Sequence, residues 1–148
     1  MDNSRNQQRK IPLSEGAKRM LDAVKDELFP VSKNLKELLI DVQKYRIKFP
    51  IFSKHLSILE NRYEEVSKNF YAIVKKLETP DDLFEGLENN PQDIASYFQF
   101  QPAISKSIQE ASKYIEIIDR TLDRKRERIQ NFRTLLLAVI AIIVSVFF

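Results

Sequence analysis

Residues 133–148 read RTLLLAVIAIIVSVFF. From Leu135 to Phe148 the single polar side chain is Ser145, so the run is apolar on every helical face. A surface helix of a globular domain carries one apolar stripe instead. A 148-residue chain also has too little other protein to wrap such a helix all round. The β-branched residues Val139, Ile140, Ile142, Ile143, Val144 and Val146 would suit a strand. A strand apolar on both faces needs a parallel sheet around it, and no other segment reads as a strand. The remaining reading is a transmembrane helix over residues 134–148.

That helix is short. Fifteen residues at about 1.5 Å each cover roughly 22 Å, against roughly 30 Å of hydrocarbon. Snorkelling by Arg133 would add Phe132 and Ile129 to the apolar length. Local bilayer thinning would help as well. Alternatively, the span continues in a longer protein of which this is a piece.

The flank, residues 123–133, is basic. Arg124, Lys125, Arg126, Arg128 and Arg133 precede the span, with Arg120 just upstream, and Asp119, Asp123 and Glu127 interrupt them. Lys and Arg beside a span stay cytoplasmic, and acids count for little in that rule. Residues 1–133 are therefore expected on the cytoplasmic side. The polar N-terminus lacks the apolar core of a signal peptide. The layout resembles that of a tail-anchored protein. The collar's interrupting acids and lack of interleaved aromatics argue against nucleic acid and for contact with anionic lipid.

The rest of the chain reads as helical. Only Gly16 and Gly86 are glycine, which excludes phosphate-cradling glycine loops. There is no Cys, hence no disulfide and no thiolate chemistry. Residues 1–12 are expected to be disordered. Residues 13–122 are expected to form an all-α bundle of four to five helices, the last continuing into the membrane. Ser14 is a candidate cap for a first helix carrying Ala17, Met20, Leu21, Val24 and Leu28, and Pro30 should end it. Ser32 should cap a second, with Leu35, Leu38, Leu39 and Val42 on one face, broken by KFPIF at 48–52.

A third helix, capped by Ser53 and ended by Thr79-Pro80, carries the most regular pattern. Leu56, Leu59, Tyr63, Val66, Phe70, Ile73 and Leu77 alternate spacings of three and four, the a/d positions of a heptad repeat. This fits an ordinary bundle helix or an intermolecular coiled coil. Ile58 and Val74 lie off the stripe and leave room for a second neighbour. Two short helices are expected over 79–102, opened by Thr79-Pro80 and Asn90-Pro91. The last helix should start near Pro102. Ile104, Ile108, Ala111, Ile115, Ile118 and Leu122 form its stripe, Lys125 interrupts the phase, and Ile129 and Phe132 resume it. The collar around Arg124–Arg128 should leave the bundle before the bilayer.

Few residues suggest chemistry. His55 is the single histidine and reads as structural or surface. Asp81 and Asp82 read as partners of a helix N-terminal dipole rather than an acid–base pair. No catalytic, cofactor-binding or metal-binding residue emerges. Between Leu77 and Ser105 there is no Lys or Arg. Asp81, Asp82, Phe84, Glu85, Glu88 and Asp93 there form a candidate docking tip for a basic partner, with Glu78, Tyr97, Phe98 and Phe100 nearby; the plainer reading is a solvated connection. In the span, Ala138, Ala141 and Ser145 share one small face that would let spans approach closely.

The sequence thus points to a non-enzymatic, membrane-anchored scaffold or adaptor. Its partners would be the bilayer and either a protein or a second copy of itself, with no small-molecule substrate or cofactor. The alternatives are an oligomeric channel or pore-forming effector, or the N-terminal piece of a multi-span protein. The absence of an ionisable residue in the span counts against a selective ion path.

Overall fold

The computed structural model describes residues 15–47, 54–79 and 91–147. Among them the chain is all helix, arranged as three rods. The first comprises α1 (Glu15–Asp22), a π-helical stretch (Ala23–Leu28) and α2 (Phe29–Lys44) without interruption. The second is α3 (Lys54–Glu78) and the third is α4 (Pro91–Phe147), 57 residues long. The expected N-terminal disorder, the caps Ser14 and Ser53, the break at 48–52 and a short helix after Pro80 all fall outside the described residues.

Two expected helix ends are absent, so that among the described residues the helices form three rods. Pro30 does not stop the first rod. The backbone widens just before it, and the Phe29 N–H bonds to the Val24 carbonyl, a π-type step of five residues. The wider turn accommodates a ring that carries no N–H, and Pro30 sits in the first turn of α2, where no donor is needed. Ser32 accordingly lies inside the helix and caps nothing. Its buried Oγ has no hydrogen-bond partner. Pro102 likewise lies within α4. Proline removes the bond to the carbonyl four residues back, that of Phe98. Both Pro102 and Phe98 are exposed, so water can serve that carbonyl. Tyr97 and Phe100, packed on the core, hold the turns before it.

The rods share one core. Met20, Leu28, Leu35, Leu38 and Val42 from the first meet Leu56, Leu59, Phe70 and Leu77 of α3. Ile104, Ala111, Ile115, Ile118, Leu122 and Ile129 of α4 close it. The α3 heptad stripe therefore faces this chain's own core. Tyr63, Val66 and Ile73 lie at its edge. Val74 also packs there, whereas Ile58 is 53% exposed.

Cross-rod polar contacts give the directions. Arg62 of α3 pairs with Asp41 of α2 at 2.8 Å, and Lys76 with Glu27 at 2.5 Å. Rising numbers in one rod meet falling numbers in the other, so α3 runs antiparallel to the first rod. Arg126 of α4 meets Glu60 at 2.8 Å, while Leu77 faces Ile104 and Ile108 across a shared pocket. Thus α4 is antiparallel to α3 and parallel to the first rod. These exposed pairs contribute little energy each, on the order of 0–1 kcal/mol, and the buried apolar seam contributes most.

Thr79 finishes α3 rather than opening the next element. Its N–H and hydroxyl both donate to the Lys75 carbonyl, at 3.1 and 2.5 Å. At the edge of the seam Tyr63 lies beside the Asp119 carboxylate. Burial, and next the Asp119 charge, push the Tyr63 pKa up to about 12.

Phe70 is 1% exposed at the centre of the stripe. Phe70→Ala should cost about 3–5 kcal/mol, read as a lower thermal midpoint of the full chain in detergent by circular dichroism. A second expectation concerns alkali. Tyr63 keeps its proton in the folded state above its unfolded pKa of about 10. Its contribution to stability is whole below pH ~10 and is lost as pH rises toward ~12. Difference absorbance between native and Tyr63→Phe chains should place one tyrosinate transition near pH 12.

Candidate membrane-anchoring site

α4 passes from core to full exposure over a few residues. Ile129 is 4% exposed, whereas Leu135 is 63% and Leu137 66% exposed. Beyond them Ile142, Val146 and Phe147 are 62%, 70% and 76% exposed. This is the one helix among the described residues that is long and apolar enough to cross a membrane, and 6% of its most apolar 18-residue window is buried. The core helix of a soluble protein would pass the same test of length and composition, but it would be mostly buried. The backbone hydrogen bonds of a helix are internal, so it can enter hydrocarbon without leaving polar groups unpaired. Within the apolar stretch, Thr134 and Ser145 return their hydroxyls to the carbonyls of Gln130 and Ile142, at 3.0 and 2.8 Å. No side-chain hydroxyl need face lipid unpaired.

The basic collar does not leave the packed helices. Lys125, at the apolar register, turns its Nζ to the Tyr45 carbonyl at 2.7 Å and lies 5.5 Å from the Tyr45 ring centre. Tyr45 terminates α2 in an extended conformation. The ammonium therefore meets the negative end of a helix dipole and a π face together. Burial, then the neighbouring Arg128 charge, lower the Lys125 pKa. His55 lies against the Tyr45 ring, ring centres 4.9 Å apart and planes tilted by 34°. Arg126 bridges Glu60 and Asp123, at 2.8 Å to each. One turn on, Leu56, Glu60, Arg126, Ile129, Gln130 and Arg133 line a cleft of about 360 Å³. The collar stays packed because Ile129 continues the core past Lys125 and the Lys125 stem reaches a carbonyl acceptor.

Arg124, Arg128 and Arg133 are exposed around this packed turn. Ala138, Ala141 and Ser145 lie exposed on the apolar part of α4. Asp81, Asp82, Phe84, Glu85 and Glu88, and the side chain of Asp93, fall outside the described residues. Sequence reasoning missed Tyr45 as the partner of Lys125. A lone cation in an apolar register was the available signal, but its acceptor lies 80 residues away. No group of three or more His, Cys, Asp or Glu that could hold a metal occurs among the described residues.

No family model, curated protein or solved structure matches the chain.

Lys125→Ala removes a charged hydrogen bond and a cation–π contact. The expected loss is about 1–3 kcal/mol of stability, read as a lower denaturation midpoint in detergent. Lys125→Met keeps the apolar stem and should recover the packing part of that loss but not the polar part.

Proposed function

We propose that this protein is a non-enzymatic, membrane-anchored helical adaptor. A cytoplasmic bundle of helices is held at the bilayer by the apolar end of α4 and presented to a protein partner or a second copy. The carrying observation is the exposure of that end on all faces, in a helix whose other half belongs to the core. Cytoplasmic placement of the bundle rests on Arg124, Lys125, Arg126, Arg128 and Arg133 beside the span.

The far end of the bundle supports the partner reading. Leu21 and Phe98 are 45% and 64% exposed toward that end, and Phe29, midway along the first rod, is 55% exposed. Met20, Val24, Phe100 and Ala103 form with Leu21 and Phe29 an apolar groove of about 170 Å³. Together with the stretch from Leu77 to Ser105 that lacks Lys and Arg, this suits a basic, amphipathic partner. The rival is a membrane-active oligomer assembled through the Ala138, Ala141 and Ser145 face.

Deleting Thr134–Phe148 should move the protein from the alkali-resistant membrane fraction to the soluble one. Protease outside sealed right-side-out vesicles should leave residues 1–133 of the full chain intact. Retention of the shortened chain in washed membranes removes the anchor reading, and digestion of the helices reverses the topology. Dye release from vesicles carrying the full chain would favour the rival.

A further inference from the structure

We propose that the membrane-proximal corner formed by the end of α2 (Lys44–Arg46) and the first turn of α3 (Lys54–Ser57) is a second lipid-binding surface, which seats the packed helices directly on an anionic bilayer. This rests on the reading of the end of α4 as a membrane span.

The placement follows from register. α2 runs toward the apolar end of α4, and α3 returns from it. The last residues of α2 reach Lys125, through the Tyr45 carbonyl. The first turn of α3 reaches further, since Leu56 shares a cleft with Ile129, Gln130 and Arg133. From Ile129 to Thr134, where the apolar run begins, is five residues, or about 7.5 Å along the helix. Because α3 is antiparallel to α4, Lys54 lies beyond Leu56 on the bilayer side. The first turn of α3, with Lys54, therefore lies within about one Debye length, roughly 8 Å at physiological salt, of the level at which the span starts. Lys44 and Arg46, level with Lys125, lie nine residues or about 13.5 Å back from Thr134 and face the outer part of the headgroup region.

Its charge is suited to that position. Lys44, Arg46 and Lys54 of the corner are exposed, as are Arg124, Arg128 and Arg133 of α4. The acids of the same level are largely engaged: Asp41 with Arg62, and Glu60 and Asp123 with Arg126. Asp119, beside Tyr63, and Glu127 are the remaining acids of these turns of α4. Cations thus surround the packed helices on more than one side of α4, which a collar on one helix cannot provide. Juxtamembrane cations of this kind are drawn to the negative surface of an anionic leaflet. The Lys125–Tyr45 contact and the Glu60–Arg126 pair tie both arms of the corner to α4, so the helices cannot swing away from the span without breaking them. A stalked domain would instead leave its collar unpacked and hydrated.

The test uses the full chain in vesicles. It has no native cysteine, so single-site labels are clean. A fluorophore is placed at Ser57→Cys beside the corner, at Gln101→Cys at the far end, or at Ile140→Cys in the span. Quenchers are carried on lipid headgroups or acyl chains. Acyl-chain quenching at Ile140 is expected in neutral and anionic vesicles alike. Headgroup quenching at Ser57 is expected to be strong in phosphatidylglycerol-containing vesicles and mostly lost in phosphatidylcholine. It should also be lost in high salt and in the Arg46→Glu, Lys54→Glu double variant. The salt arm needs no variant, so a folding defect in the double variant cannot decide the result. Gln101 should stay unquenched. Quenching at Ile140 with a Ser57 signal no higher than that of Gln101 overturns the seat and leaves the span standing. Ser57 quenching that ignores lipid charge and salt overturns the anionic-lipid chemistry. An Ile140 label beyond reach of acyl-chain quenchers overturns the span, and the seat with it.

Discussion

One unbroken helix carries two different side-chain patterns, and the other helices pack against it up to the point where the patterns meet. Up to Ile129, α4 exposes polar faces and buries a single stripe from Ile104. From Leu135 to Phe147 every face is apolar, and every residue but Leu136 is exposed. A helix carries both patterns on one backbone, because its hydrogen bonds are internal in water and in hydrocarbon alike. What changes is only the side-chain pattern, and it changes between Ile129 and Leu135. Pro102 lies well upstream of this junction, so the stretch across it has the stiffness of continuous helix.

The packed helices make the junction rigid. Lys125 interrupts the apolar register, yet it strengthens the seam because the C-terminal carbonyl of α2 stands opposite it. The stem stays among apolar neighbours and the ammonium finds an acceptor, so the cost of burying a charge is offset locally. Arg126 performs the matching task toward α3. The result is that the basic end of the chain is a packed end, fixed in orientation to the apolar segment. Toward the opposite end lies the exposed aromatic ring of Phe98, so the two proposed interaction surfaces are separated along the helices.

The two prolines show how packing modifies local signals. Pro30 and Pro102 each carry a strong helix-ending tendency in isolation. At Pro30 the chain gains a π-helical stretch and keeps Leu28 and Leu35 on the same core. At Pro102 the lost bond falls on an exposed turn, while Tyr97 and Phe100 stay against the core. In both cases apolar contacts on either side of the ring outweigh the missing hydrogen bond, and two expected pairs of helices become single rods.

The sequence by itself determined the helical class, the apolar stripes and the apolar end. Each is a local property: spacings of three and four put Leu56, Leu59, Phe70 and Leu77 on one face whatever they pack against, and fourteen residues with one hydroxyl are apolar in any arrangement. The cations Lys44, Arg46 and Lys54 were equally visible, but their level relative to the apolar segment was not. That level depends on α2 running parallel to α4 and α3 running back, which is fixed by contacts across 21 to 80 residues of chain. The acceptor of Lys125, the packing of the collar and the continuity through both prolines have the same origin. Each is an energy difference between alternative long-range packings, and no short window of residues contains both of the groups that decide it.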